Sequence, residues 1–427
     1  MEKRPFSIFS LTEAQAIALL ETPSDQLDAP EDRYIAASQL VNYPSDRTIN
    51  ALIAAIQTPG LDLNHRIVRR KAVETLGYLK AAAALPILQS CLQDEDRYTV
   101  DNAVWSIGEI GTQDTAILVA ITQCLSQPEQ NYRLIIQTLA KLNYLPAASH
   151  IHSFIDADDP PIASAAISAI YQLTGDDAQI PKLVELLQHP TVNARRSCIQ
   201  DLIDAKQYAA IPQIAQCPVS MVFRLRGIRL LAEGGIPAKQ ITFEQIESAL
   251  DCVIRDHPND LELVHEYDQT PSLEFAINEL YETDFARCYL AAKTLLAVYP
   301  EMAPTALIKA YEDRARGDYG AHYHVIKLLG WLNYDPAYDM LVEALHNPAP
   351  QFQKSRTAAA IALGELGDPR AIPALEAGLN TEIWSLNYAC LMALNQLSQA
   401  GWEAIDLKNA DFLVKAKCLQ LASRQGL

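Results

Sequence analysis

Basic residues are scarce in this chain. Thirty-four Lys and Arg stand against 52 Asp and Glu, a formal net charge of −18. Nucleic-acid binding needs a positive surface that displaces counterions, so the charge argues against general DNA or RNA binding and leaves a local basic patch open. Long apolar runs are missing too. None reaches the ~18 residues of a membrane-spanning helix, which argues against membrane insertion. The opening MEKRPFSIFS has too short an apolar stretch for a signal peptide. A cytoplasmic protein is expected.

The eight cysteines (Cys91, Cys124, Cys198, Cys217, Cys252, Cys288, Cys390 and Cys418) include no C-x-x-C pair, and most sit in apolar helical runs. Neither a disulfide framework nor a zinc site is expected, and most of these thiols should behave as small buried hydrophobes. Walker-type loops, G-x-S-x-G elbows, H-E-x-x-H pairs and Rossmann glycine patterns do not occur. Runs of β-branched residues with period-two alternation are also absent, so essentially no sheet is predicted.

What is present is a soluble globular composition, 49% hydrophobic and 20% charged, over 427 residues, and a repeat. Aligning the apolar residue that precedes the glycine in RKAVETLGYL and DNAVWSIGEIG gives Leu76, Ile107, Leu139, Ile170 and Leu202, spaced 31, 32, 31 and 32. A second run, Leu295, Leu329, Leu363 and Leu394, is spaced 34, 34 and 31. Each unit reads as a helix, a break at Gly, Asp or Asn, and a second helix often entered through IP or LP, where proline fits the first turn. Two helices per unit and no core belonging to one unit alone predict an all-α protein, an α-solenoid of HEAT-like two-helix repeats with a period of about 31–34 residues. The expected organisation is an N-terminal capping segment over 1–32, a first array over 33–235, an irregular helical connector over 236–283 and a second array over 284–427. Thr12 and Gln15 are spaced as the capping box of a helix within LTEAQAIALLETP.

The stretch YTVDNAVWSIGEIG (98–111), wound at ~100° per residue, divides into two faces. Val100, Ala103, Val104 and Ile107 form a core stripe. Tyr98, Asp101, Asn102, Trp105 and Glu109 share the opposite side. In a solenoid, equivalent positions of successive repeats lie side by side, which sets Arg70, Lys71, Glu74 and Tyr78 on one flank and Arg133 on the other, with Arg66 and Arg69 nearby. A solvated outer face with incidental ion pairs accounts for much of this set. It accounts poorly for Trp105, whose ring would lie in water unless a ligand or partner packs over it. The second run has an analogue in DYGAHYHVIKLLGWLNY (318–334), where Tyr323, His324, Lys327 and Trp331 take the equivalent positions and Tyr289, Lys293 and Tyr388 the same column. His322 and His324, two apart, do not share a helix face, so no metal pair is expected.

The segments RYIAASQLV (33–41), RIVRRKAVETLGYL (66–79) and above all YTVDNAVWSIGEIGTQD (98–114) resemble the E/F-type phycobilin lyases of cyanobacteria, closest to the long single-chain members directed at phycoerythrin. That resemblance implies a HEAT-like solenoid that attaches phycoerythrobilin, a linear tetrapyrrole, by a thioether to a cysteine of an apo-phycoerythrin subunit. Many members of the family work as two shorter chains; this one carries two arrays, which leaves open a second lyase or chaperone subunit as a partner. The bilin would be substrate, with no cofactor and no metal. Arg66, Arg70 and Arg133 suit its propionates, and Trp105 its conjugated body. Asp101 or Glu109 suits its pyrrole N–H groups and the proton steps. Tyr98, Asn102, Tyr323, His324 and Lys327 complete the expected substrate-binding set. Two alternatives stand beside this reading: a lyase-isomerase that also converts the bilin to phycourobilin, and a non-catalytic scaffold or chaperone for phycobiliprotein subunits.

Overall fold

The computed structural model describes residues 11–27, 29, 31–60, 62–397 and 408–424, and every regular element among them is helical. The chain folds as two compact units, Met1–Ile180 and Pro181–Leu427.

The first unit contains α1 (Glu13–Glu21), α2 (Asp32–Gln39), α3 (Asp46–Gln57), α4 (Leu63–Tyr78), α5 (Leu85–Cys91), α6 (Arg97–Ile110), α7 (Thr115–Cys124), α8 (Tyr132–Lys141), α9 (Ala148–His152) and α10 (Pro160–Thr174). Helices α2, α4, α6, α8 and α10 pack side by side in chain order, and α3, α5, α7 and α9 each back onto the helix that follows. Helix α1 opens with the expected capping box, Thr12 to Gln15. Pro86 sits in the first turn of α5, where its missing N–H costs nothing.

A short helix α11 (Ile180–Glu185) begins at the division. The second unit continues with α12 (Val192–Asp204), α13 (Ile211–Gln216), α14 (Met221–Gly235), α15 (Phe243–Arg255), α16 (Leu273–Glu279), α17 (Phe285–Val298), α18 (Ala303–Asp313), α19 (Tyr319–Trp331), α20 (Tyr338–His346), α21 (Gln353–Glu365), α22 (Ile372–Gly378), α23 (Trp384–Gln396) and α24 (Phe412–Arg424). Here α17, α19, α21 and α23 form one layer, backed by α16, α18, α20 and α22.

All nine spacing markers, from Leu76 to Leu394, are buried, each in the core of its own unit. The glycine after a marker lets neighbouring helices approach: a Cβ on Gly77 would lie 2.8 Å from Trp105 Cζ3, and one on Gly330 2.5 Å from Ala362 Cα. All eight cysteines are free thiols, seven of them buried.

The repeat phase and the packing divide the chain differently. Leu202 keeps the phase of the first run, yet its helix α12 packs on α14, and the buried Arg195 of α12 pairs with Asp284. Phase records the helical period alone, whereas packing also follows buried charge. The connector is not peripheral to the second unit either. Its helix α15 packs on α21, α23 and α24, and the buried Lys417 of α24 bonds to Glu247 and Asp251 of α15 at 2.7 Å each.

Candidate functional site

In the first unit the two faces of α6 are as its periodicity requires. Val100, Ala103, Val104 and Ile107 are buried, while Asp101, Asn102, Trp105 and Glu109 are partly open and Tyr98 is 48% exposed. The Trp105 ring meets Tyr78 of α4 edge to face, with centroids 4.8 Å apart, and Tyr78 is 59% exposed. Two aromatic rings thus form an open corner where α4 and α6 touch.

The charged groups around that corner fall into two kinds. Arg70 is committed to the fold: its Nε and Nη2 each donate to Asp96 at 2.6 Å, and Asp96 also accepts from Thr99 Oγ1 at 2.8 Å. Burial alone would raise the Asp96 carboxyl, but the Arg70 and Thr99 bonds hold it below its ordinary value. Asn102 Nδ2 donates to the Arg70 carbonyl at 3.0 Å, tying α6 to α4. Arg133 is engaged at the first turn of α10, through Pro161 O and Ser164 Oγ. Glu109 pairs with Lys141 of α8 at 2.6 Å. Arg66, by contrast, has no carboxylate partner among the described residues and is half-buried on α4.

Burial raises the Asp101 carboxyl above the ordinary aspartate value, opposed by a bond from Asn131 and by the charge of Arg97. Arg97 packs 4.9 Å from the Tyr98 ring centroid and donates to its hydroxyl at 3.2 Å. Stepping by one repeat missed Arg97 because it lies on α6 itself, at the first helical position. Its adjacency to Tyr98 was the available signal.

The second column is a different environment. Tyr323, His324 and Lys327 are buried, as is every residue of α19 from Gly320 to Gly330. The Tyr323 hydroxyl and Lys327 Nζ donate to the carboxylate of Asp256, which also accepts from Arg224 and, at 2.9 Å, from the Tyr289 hydroxyl. Burial would raise the Asp256 carboxyl, but Lys327 and Arg224 hold it far below the usual range. Burial draws the Lys327 ammonium down to about 8 against the pull of Asp256. Burial also holds His324 well below its ordinary value, and its Nε2 has no hydrogen-bond partner. The structure therefore brings these three residues together inside the core, not on an open face, because Asp256 at the end of α15 folds beneath α19. No short spacing announced Asp256 or Arg224. From this column Lys293 is exposed and Trp331 partly so, and the two line a cavity of about 610 Å³ with His257 and Tyr334.

Among the described residues, no group of three or more His, Cys, Asp or Glu converges as a metal site would require. No described helix is long and apolar enough to cross a membrane.

The family described as HEAT repeats matches residues 58–123 and 304–395. The chain is 54% identical over 98% of its length to an uncharacterized phycocyanin operon protein Y of Pseudanabaena tenuis, covering 99% of that protein. It is 32% identical over 90% of its length to the bilin biosynthesis protein CpeY of a Synechococcus species, covering 92% of it. The chain belongs to the HEAT-repeat phycobilin lyase family. Within that family, the phycocyanobilin lyase subunit alpha of Synechococcus elongatus is 33% identical over 48% of this chain and 80% of its own length.

Proposed function

We propose that the chain attaches phycoerythrobilin to a cysteine of an apo-phycoerythrin subunit. The observation that carries this reading is the end-to-end likeness to CpeY, 32% over 90% of the chain. The thiolate sulfur bonds to the exocyclic ethylidene carbon of ring A, and a proton is added to the adjoining ring carbon. The sum is addition of S–H across a double bond. No electrons are gained or lost, so the reaction calls for no redox cofactor.

The lyase supplies orientation and proton placement. Trp105 and Tyr78 receive the conjugated body, and Arg66, which has no carboxylate partner among the described residues, receives a propionate. Asp101 accepts from the pyrrole N–H groups and favours the protonated, more electrophilic bilin. Arg97, Tyr98 and Asn102 shape the edge of the site, and Arg70 supports it through Asp96. Glu109, held by Lys141, is the second carboxylate within reach of α6.

A second reading of the acceptor has its own support. The relative at 54% identity is named for a phycocyanin operon, which favours a phycocyanin subunit. Co-expression with a bilin-synthesis pathway and each apo-subunit, with and without a second lyase chain, separates the two. Covalent colour on a phycoerythrin cysteine, located by peptide mapping, is expected. A phycourobilin spectrum on that peptide would add isomerisation. Colour on phycocyanin alone would shift the acceptor, and a chain that neither binds free bilin nor yields covalent product with any subunit would be a scaffold. Trp105→Ala should weaken binding of free bilin about tenfold, from loss of ring contacts worth ~0.5–1.5 kcal/mol beyond area burial.

A further inference from the structure

Arg33, on α2, is 4% exposed and makes no ion pair among the described residues. Its Nε donates to the Leu20 carbonyl at 3.0 Å and its Nη1 to Ser24 Oγ at 3.2 Å, both neutral acceptors. Its Nη2 bonds to no described residue. A guanidinium stays charged in a protein, and a buried charge without a counter-charge is costly. Burial draws the group below its ordinary value, and the charge of Asp62 opposes that. The Asp62 carboxylate is already spent on its own helix. Its Oδ1 accepts from the backbone N–H groups of Asn64 and His65 at 3.0 and 3.2 Å, and its Oδ2 pairs with His65 Nδ1.

The Arg33 side chain is part of the wall of a cavity of about 410 Å³ in the first unit, bounded by α1, α2 and α3. That volume lies toward the small end of the range for small-molecule sites. Leu20, Ala51, Ala54 and Ala55 give the cavity an apolar lining. Ser24, also in the wall, accepts from Arg33 and keeps its own hydroxyl hydrogen to donate. Glu21 and Asp25 complete the wall; both are exposed, and neither makes an ion pair among the described residues. The cavity therefore carries a cation at depth and two carboxylates near solvent that leave one another unneutralised. A plain anion drawn to Arg33 would meet the repulsion of Glu21 and Asp25, whereas a molecule bearing both signs of charge would satisfy all three.

We propose that this cavity binds a small zwitterion of the amino-acid class, with its carboxylate on Arg33 and Ser24 and its ammonium toward Glu21 and Asp25. An aliphatic side chain lies against Leu20 and the three alanines. The planar guanidinium suits a carboxylate in particular. The site uses none of the residues assigned to the corner at Trp105 and does not depend on the lyase reading.

Thermal melts and calorimetric titrations of the full chain test this with three probes at equal ionic strength: L-leucine, isocaproate (leucine without its amino group) and isoamylamine (leucine without its carboxylate). Leucine should raise the Tm. Isocaproate should bind several-fold more weakly, since it forgoes the exposed ion pairs, and isoamylamine should leave the Tm unchanged. Arg33→Met should weaken leucine binding about tenfold or more through loss of the charge-assisted contact. Ala54→Leu fills the cavity from an exposed position of its wall. It should abolish the leucine shift while leaving the core intact, and so decides the matter even where Arg33→Met fails to fold. Glu21→Gln combined with Asp25→Asn should bring leucine down to the level of isocaproate. Leucine binding that persists unchanged in Arg33→Met or in Ala54→Leu overturns the proposal. So does isocaproate binding as tight as leucine on the wild-type chain, or the failure of leucine and every other aliphatic amino acid to bind.

Discussion

Arg66 and Arg70 lie one helical turn apart on α4 and serve different ends. Arg70 closes its guanidinium on Asp96, which is 7% exposed, so Arg70→Ala strands a buried carboxylate and should cost about 1–3 kcal/mol in a urea melt. Arg66→Ala removes a cation with no carboxylate partner; it should leave the melt unchanged while weakening bilin binding. Asp101 makes a prediction with a definite sign. Its pKa is raised in the folded chain, so the native state binds more protons than the unfolded state as pH climbs above about 3.8, and stability is lost across that interval. Asp101→Asn should therefore melt higher than wild type at pH 7, with the gap closing below pH 3.8, and should bind bilin yet transfer it slowly. A variant that melts lower at pH 7 would show that the Asn131 bond outweighs burial. The site was legible where one helix carries it: the period of α6 placed Trp105 and Asp101 on its open face. It was not legible where charges choose partners. Arg70 reads as free in the sequence because nothing there marks Asp96, 26 residues away, as its acceptor.

At the scale of the helix, the residue four past a marker takes the left-handed conformation in six repeats: Lys80, Gly111, Asn143, Lys206, Asn333 and Gly367 have φ between 50° and 80°. Glycine and asparagine tolerate this region; lysine does so at a cost of roughly 1 kcal/mol. Lys80→Gly and Lys206→Gly should each raise stability by somewhat less than that, because glycine also loosens the unfolded chain, and chemical denaturation can measure it. The spacing of the markers made the helices and their buried stripes visible, since burial imposes the helical period on apolar residues. The left-handed exits were visible only in part. Gly111 and Gly367 announce themselves, whereas a lysine at the same place does not.

At the scale of the molecule, the second unit is joined by charge as well as by stacked helices. Asp256 serves Arg224, Tyr289, Tyr323 and Lys327 at once, all of them buried. Asp256→Ala leaves two cations in the interior without their counter-charge and should cost about 3–5 kcal/mol. Circular dichroism should then show part of the helical signal melting early, and an unaltered melt would contradict the network. A pure repeat array stabilises each member through its immediate neighbours. Here bonds span 32, 67 and 71 residues around Asp256, and 170 and 166 residues from Lys417 to Glu247 and Asp251. The consequence is one of order in time. The first unit can grow helix upon helix as the chain leaves the ribosome, whereas the second must hold Glu247 and Asp251 in waiting until α24 has been made. Such long closures slow folding and leave apolar surface exposed meanwhile, so the translation of the last helix sets the pace at which the second unit matures.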